Sequence, residues 1–441
     1  DSSFYLDYLK LKSDNYLFAG RYNKALTKVD EALRLAQRKT DKTIRIYTGN
    51  GESEEIRQQS KHIEENELSL GNLMVDKAEI YMEYGDLKRA LKLFEENEVF
   101  LSQIMPKRYF PYIRNTFGTI YAKFLLEEYT AKKAAKKQSK EIKRYANRMR
   151  YGLPNVFYLH QMERKAEMLS EADKFGRIET MASKYARESL KGFGRGNYHH
   201  ADGYRIKVLN DMSSGRYISA ERKMELVEED AENLSELHPQ RLSWNEIHAT
   251  IKKALFKFDQ QETFLQNNIA IAEANFGKDA PIIGKYKLDF AGFVFKTKSD
   301  FKKSGELYDE GISTYLDEIH EFHSDYFKYY EAYVSFLTET DQLDSALFVS
   351  QSLIQSAMNK RGTNSMLSAR MNALKADVLI EKGEYIEAQT ALEEAVKNIE
   401  NAGKTDGFGY IKTLLSLGDI YNINGQTDRA EKTFKTAYKL S

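Results

Sequence analysis

Three stretches near the C-terminal end repeat the same pattern: DQLDSALFVSQSLI from Asp341, GEYIEAQTALEEAV from Gly383 and GQTDRAEKTFKTAY from Gly425. Each begins with a turn residue, and small and large apolar residues then follow at helical spacing. The interval between successive stretches is 42 residues. A fixed period of this length indicates an array of repeated units rather than one closed globular core.

The same pattern occurs at irregular intervals further upstream. A turn residue is followed two positions later by a bulky residue and three positions after that by a small one, as in Gly85, Leu87 and Ala90. This spacing predicts a helix that starts directly after a tight turn. The predicted turns lie at Gly20, Gly85, Gly215, Ser299, Asp341, Gly383 and Gly425, with a weaker one at Asp259.

These residues resemble the tetratricopeptide repeat, whose first helix carries a small residue and an aromatic, as do Gly418 and Tyr421. Its second helix carries Ala, an aromatic and Ala, which match Ala430, Phe434 and Ala437. The usual unit has about 34 residues, so the longer unit resembles the kinesin-light-chain type. The resemblance implies an all-α, right-handed superhelical solenoid of antiparallel helix hairpins, with about ten repeats.

The period divides the chain into two expected parts. Residues 1–200 form irregular N-terminal helical repeats, with a long first loop around Tyr47–Ser53 and a basic helix. Residues 201–441 form a regular array of units of about 42 residues. The regular part is expected to build the architecture, and the irregular part to carry what distinguishes this protein from other arrays.

By analogy with the family, first helices line a concave groove that binds a partner protein or peptide. Cations and aromatics at the corresponding positions would suit a segment with carboxylates and an apolar anchor. The alternative is that these residues are only solvated or packed against neighbours. The expected groove residues are Lys253, Tyr286, Phe293, Lys296, Lys328 and Arg370.

A basic segment spans residues 132–150 and contains one acidic residue, Glu141. On a helix its apolar residues would form a stripe opposite the cations, which favours a solvated outer face. The alternative is a surface for nucleic acid, anionic lipid or an acidic partner. The cations of this basic patch include Lys132, Lys133, Lys136, Lys137, Lys140, Arg144 and Arg148.

Composition narrows the possible chemistry. The 441 residues include no cysteine, which excludes disulfides, thiolate metal ligands and a cysteine nucleophile within this chain. The formal net charge is zero, so no global charge favours nucleic acid or an anionic membrane. The histidines at 199–200 and at 320 and 323 match no metal motif. We therefore expect no metal, no cofactor and no enzymatic activity.

The sequence predicts a non-catalytic protein–protein interaction scaffold. The family resemblance implies that it is part of a larger bacterial assembly. Two such settings fit: the sensor array of a CHAT-type protease system, or periplasmic secretion and gliding machinery of Bacteroidota. The alternative is a nucleic-acid-responsive regulator that uses helix 132–150. The compartment stays open, with an exported location favoured over a cytoplasmic one and peripheral membrane association through a removed lipid anchor as one option.

Overall fold

The computed structural model describes residues 2–47, 53–107, 109–148, 156–194, 197–230, 232–405 and 407–440. These residues form helices and short connections, without a β-strand. The expected first loop at Tyr47–Ser53 falls largely outside this description. The helices are α1 Ser2–Phe18, α2 Tyr22–Tyr47, α3 Ser53–Tyr84, α4 Leu87–Ile104, α5 Phe110–Leu125, α6 Ala131–Arg148, α7 Val156–Glu171, α8 Phe175–Phe193, α9 Tyr198–Ser213, α10 Tyr217–Asp230, α11 Arg241–Ala254, α12 Phe258–Phe276, α13 Pro281–Phe293, α14 Phe301–Gly311, α15 Ser324–Glu339, α16 Leu343–Arg361, α17 Met366–Glu381, α18 Tyr385–Asn401, α19 Phe408–Ile423 and α20 Thr427–Leu440.

Successive helices pair as hairpins, so the odd-numbered helices are the first helices of their hairpins and the even-numbered ones are the second helices. Helices α13 and α14 continue as π-helical turns at Val294–Lys298 and Ile312–Leu316. From α7 onward, first helices begin every 40–43 residues. The spacing of the first helices is therefore regular from Val156 onward. The all-α array of hairpins expected from the sequence is confirmed.

Each hairpin turn contains one residue with positive φ, which ends the first helix in a left-handed conformation. The seven clear turn residues expected from the sequence all adopt it, with φ between 53° and 101°. The remaining turns use Glu127, Asp173 and Phe256, none of which is glycine. The weak turn expected at Asp259 is wrong, because Asp259 lies in the first turn of α12 and Phe256 makes the turn instead.

Small residues lie where helices approach most closely, as the sequence pattern predicts. A Cβ on Gly418 would lie 2.5 Å from the Phe434 ring, and one on Gly118 would lie 2.4 Å from the ring of Phe94. Both distances are shorter than real Cβ contacts, so these positions accept only glycine without rearrangement. Each glycine that packs against an aromatic ring thus sets the distance between two neighbouring helices.

The chain divides into two compact units, Asp1–Phe293 with Asp309–Ile319, and Val294–Tyr308 with His320–Ser441. We call them unit 1 and unit 2. The boundary expected near residue 200 separates irregular from regular repeats and is not the boundary between these two units. That expected boundary stays a prediction.

Within unit 1, the turn of the first hairpin contacts the start of α13. The carbonyl of Ala19, in the turn between α1 and α2, accepts a hydrogen bond from the Ile282 N–H at 3.2 Å. Pro281 is the first residue of α13, a position that proline favours, and the next N–H has no partner within its own helix. Ala19 also belongs to a buried cluster with Leu242 and Tyr286. The first hairpin of the chain therefore packs against α13.

Candidate functional site

All six expected groove residues lie on first helices or on the π-helical continuation of α13. Lys253 is on α11 and belongs to unit 1; Lys296, Lys328 and Arg370 belong to unit 2. These four cations are exposed. Their role in partner binding stays a prediction.

Tyr286 and Phe293, both on α13, are buried, with exposed fractions of 4% and 3%. Tyr286 packs in the cluster that joins α13 to the first hairpin, and the ring of Phe293 stacks on that of Phe290 at 6.1 Å. Side chains this deeply packed stabilise the fold and present no surface to a partner. The binding proposal below therefore does not rest on them.

Two of the exposed cations already have neighbours within unit 2. Arg370 on α17 forms an ion pair with Glu331 on α15 at 2.7 Å. The Lys328 Nζ atom lies 4.2 Å from the centre of the Tyr329 ring. Burial raises the pKa of Glu331, although the charge of Arg370 acts in the opposite direction. An exposed pair of this kind adds little to stability and leaves Arg370 able to exchange partners.

The basic patch lies on α6, and its described cations lie on the solvent-exposed face of this helix, as the sequence predicts. Lys132, Lys133, Lys136, Lys137, Lys140 and Arg144 are exposed, whereas the side chain of Arg148 falls outside the described residues. Ile142 and Tyr145 on the other face belong to the buried core of the neighbouring hairpins. The Arg144 guanidinium pairs with Glu141 at 2.8 Å.

A cavity of about 440 Å³ in unit 1 is lined by side chains from four consecutive first helices. We call it the first-helix cavity. Glu83 comes from α3 and Tyr121 from α5; Ile178 of α8 is the one contribution from a second helix among the lining residues. Helices α7 and α9 supply the rest: His160, Glu163, Arg164, Ala166, Glu167, Ser170, Arg205, Ile206, Leu209, Asn210 and Ser213.

One cation of this cavity, Arg205, is neutralised by its neighbours. Arg205 lies between two carboxylates, with its Nη2 atom 2.7 Å from Glu163 and its Nε atom 2.9 Å from Asp202. Asp202 also accepts a hydrogen bond from the Nε1–H of Trp244 at 3.4 Å. Burial acts to raise the pKa of Glu163, but His160 and Arg205 together lower it below its usual range. Glu163 is therefore ionised at neutral pH.

Arg164 is 6% exposed and stacks on the ring of Tyr121, with 4.4 Å between its guanidinium carbon and the ring centre. The Tyr121 hydroxyl donates to Glu167 at 2.7 Å. Arg164 Nη1 and Asn210 Oδ1 are buried without a hydrogen-bond partner among the described atoms. Unsatisfied buried polar atoms of this kind are uncommon and often mark functional sites.

Two carboxylates remain accessible in the cavity, Glu83 and Glu167. Desolvation by the surrounding protein raises the pKa of both, and the charge of Arg164 acts in the opposite direction on each. Glu83 forms no salt bridge with a described side chain. The accessible charge of the first-helix cavity is thus negative, and apolar side chains, Ile178, Ile206 and Leu209, lie beside it.

The histidines that could suggest a metal have structural partners. His200 contacts Asp230 at 2.6 Å, and His323 caps α15 by accepting from the Asp325 N–H at 3.1 Å. Within the described ranges, no three His, Asp or Glu side chains are grouped so as to hold a metal ion. In the same part of the chain, no helix combines the length and apolarity needed to cross a bilayer.

Hairpins of this geometry, repeated about every 42 residues from α7 onward, define a helical repeat protein. Residues 367–441 match the family model described as tetratricopeptide repeat. The other hairpins share its helix–turn–helix plan and its turn geometry. No curated protein matches the sequence.

Several solved structures are similar in part. One is a putative kinesin light chain of Podosopora anserina with nearly identical TPR-like repeats, at 14% identity and TM-score 0.42 over 46% of this chain and 95% of that one. Another is a Rap protein complexed with Competence and Sporulation Factor, at 12% identity and TM-score 0.45 over 94% and 99%. Yeast Tom70 matches at 12% identity and TM-score 0.41 over 100% and 93%.

The sequence reasoning missed the first-helix cavity. Its central ion pair joins Glu163 and Arg205, which are 42 residues apart, and Asp202 and Trp244 repeat that spacing. A search for complementary residues one period apart would have found both pairs. Nothing in the sequence motif itself directs attention to them, because neither pair occupies a position that defines the repeat.

Proposed function

We propose that this protein is a non-catalytic scaffold that binds a protein or peptide partner along its first helices. The observation that carries the proposal is the first-helix cavity, which four consecutive first helices line. There, accessible carboxylates of α3 and α7 lie beside apolar side chains. Catalysis needs an activated nucleophile or an acid–base pair held in position. The lining serines, Ser170 and Ser213, instead hydrogen-bond to each other at 3.3 Å.

The chemistry of the cavity favours a basic peptide segment. A lysine or arginine side chain combines an apolar stem with a cationic head, which matches Ile206 and Leu209 beside Glu83 and Glu167. Binding would place a cation next to carboxylates whose pKa is raised by desolvation, so the contact compensates them. A separate proposal is that the exposed cations Lys253 of unit 1, and Lys296, Lys328 and Arg370 of unit 2, contact acidic groups of a partner.

Selection from a random peptide library displayed on phage tests the proposal. We expect enrichment of peptides with lysine or arginine, and we expect the double substitution Glu83→Gln with Glu167→Gln to weaken their binding at least about tenfold. The matched control is Glu225→Gln with Glu229→Gln, two exposed glutamates on α10 that do not line the cavity. Equal binding to all three proteins would refute the proposed site.

The larger setting stays a proposal of its own. A sensor array of a CHAT-type protease system and a component of periplasmic secretion or gliding machinery both require such a scaffold. The two settings differ in the neighbouring sequence. A protease domain with a His and Cys dyad encoded downstream supports the first, and a lipoprotein leader upstream supports the second; a gene with neither removes both.

The nucleic-acid alternative is weaker. The exposed cations of α6 are accompanied by Tyr129, whose ring is covered by Lys133 and Lys137 at 4.2 and 5.1 Å and is not open for base stacking. An electrophoretic mobility shift at low salt that disappears when Lys132, Lys136 and Lys140 are neutralised would restore this alternative.

A further inference from the structure

A second cavity of unit 1, of about 410 Å³, lies among α6, α7 and α8. We call it the basic cavity. Five cations line it, and no acidic side chain does; the other lining residues are Ala135, Ser139, Leu169, Ala172 and Thr180. The five cations are Lys132, Lys136, Lys165, Lys174 and Arg177. A concave site with one sign of charge concentrates the field of that charge and attracts small ions of the opposite sign.

The cations of the basic cavity are not neutralised by the protein. None of the five forms an ion pair with a described carboxylate. Elsewhere in unit 1 the same residue types do, as Lys223 with Asp211 at 2.8 Å and Lys252 with Glu221 at 2.6 Å. Five uncompensated charges around one cavity repel one another, and that repulsion is relieved when an anion binds.

Lys165 lies in a positive environment formed by Arg177, which lines the cavity, and by Lys184 and Lys143, which do not line it. Burial lowers its pKa, and the nearby charges of Lys184, Lys143 and Arg177 lower it further. Its ammonium group therefore gains from any anion that enters the cavity. The sequence reasoning assigned the cations of α6 to a solvated face and did not connect them with Lys165, Lys174 and Arg177, which the fold places beside them.

The start of α8 adds to the positive field. Lys174 precedes the first residue of α8, and no side chain caps this helix end. A Cβ at Gly176 would meet no atom within 4 Å, so the space beside this first turn is open. The positive end of the helix dipole favours phosphate groups in such a position.

We propose that the basic cavity binds a small oligophosphate. Several closely spaced negative charges match five unpaired cations better than a single carboxylate would. The lining residues include no aromatic side chain on which a base could stack, which disfavours single-stranded nucleic acid. The volume lies in the range of cavities that take small molecules.

Isothermal titration calorimetry with inorganic tripolyphosphate at physiological salt tests the site. We expect one molecule to bind per chain. The double substitution Lys165→Gln with Arg177→Gln should weaken binding at least about tenfold. The control, Lys140→Gln with Arg222→Gln, removes the same charge from exposed positions outside the cavity and should change affinity by less than about twofold. Circular dichroism of each variant confirms that it is folded.

Three results would overturn the proposal. One is the absence of saturable binding of tripolyphosphate to the unmodified protein. Another is an equal loss of affinity in both double variants, which indicates a diffuse basic surface. The last is tighter binding of a short single-stranded oligonucleotide, or of vesicles that contain phosphatidylglycerol, than of tripolyphosphate, which assigns the cations to nucleic acid or to a membrane. The peptide test of the first-helix cavity is independent of all three.

Discussion

Helix α7 contributes to two cavities of opposite character. Glu163, Arg164 and Glu167 line the first-helix cavity, whereas Lys165 and Leu169 line the basic cavity. The two sets are interleaved in sequence because successive residues of a helix point in different directions. In the first-helix cavity Arg205 is paired with carboxylates, Arg164 is buried against Tyr121, and Glu83 and Glu167 stay accessible. In the basic cavity no carboxylate balances the cations.

This difference shows how one repeat array offers two kinds of surface. Paired charges such as Glu163 and Arg205 hold adjacent first helices in register and contribute to stability only as a pair. Unpaired charges contribute nothing to stability and are retained at a cost in repulsion. Substitutions of paired and of unpaired charges should therefore affect stability with opposite sign.

The largest effect is expected from Arg205→Met. The substitution leaves Asp202 buried without a cation and Glu163 with only His160 beside it, which should cost about 3–5 kcal/mol of unfolding free energy. Urea titration followed by the fluorescence of Trp244 reports the loss, since this single tryptophan is buried and hydrogen-bonded to Asp202. The control is Arg222→Met on the exposed face of α10. A loss below about 1 kcal/mol would mean that the pair is no more than a surface ion pair.

The deficit of Arg205→Met should depend on pH. Burial already raises the pKa of Asp202 in the folded protein, and removing Arg205 removes a charge that lowers it. A carboxyl group whose pKa is higher in the folded state than in the unfolded state destabilises the fold when it is ionised. This penalty is absent below the unfolded pKa and grows as the pH rises to the folded pKa. We therefore expect a larger deficit at pH 8 than at pH 5. The same urea titration at both values measures it.

A smaller effect of opposite sign is expected from Glu83→Gln. The pKa of Glu83 is raised by desolvation, so its ionised form destabilises the fold at neutral pH and glutamine removes that charge. Thermal unfolding should give a higher Tm for the variant at pH 8, and Tm values that converge as the pH falls. Glu225→Gln serves as control. A lower Tm at pH 8 would mean that Glu83 makes a stabilising contact when ionised.

The smallest effect is expected in the basic cavity. Lys165→Gln removes an unpaired cation whose pKa is lowered by burial and by like charges, so Tm at pH 7 should stay unchanged or rise slightly. Adding tripolyphosphate should raise the Tm of the unmodified protein more than that of the variant. A clear fall in Tm without ligand would show that Lys165 has a stabilising partner and would weaken the contrast between the cavities.

The hairpins could be predicted from the sequence because glycine and alanine mark the turns and the close helix contacts. The turns at Glu127, Asp173 and Phe256 were not predicted, because residues other than glycine rarely adopt positive φ and their identity does not indicate a turn. Tyr286 and Phe293 fit the groove by analogy, but the first hairpin packs against α13, and a contact between residues 19 and 282 lies outside any repeat pattern. The cavities depend on which charges face one another across helices, which the repeat period alone does not give.

Site-specific photocrosslinking tests the central claim most directly. A benzoylphenylalanine at Leu209 would lie in the first-helix cavity, and one at Leu226 on α10 would not, although both leucines are 38% exposed. A basic peptide selected on the unmodified protein should crosslink at position 209 and not at 226. Crosslinking at 226 alone, or equally at both positions, would contradict a binding site formed by the first helices.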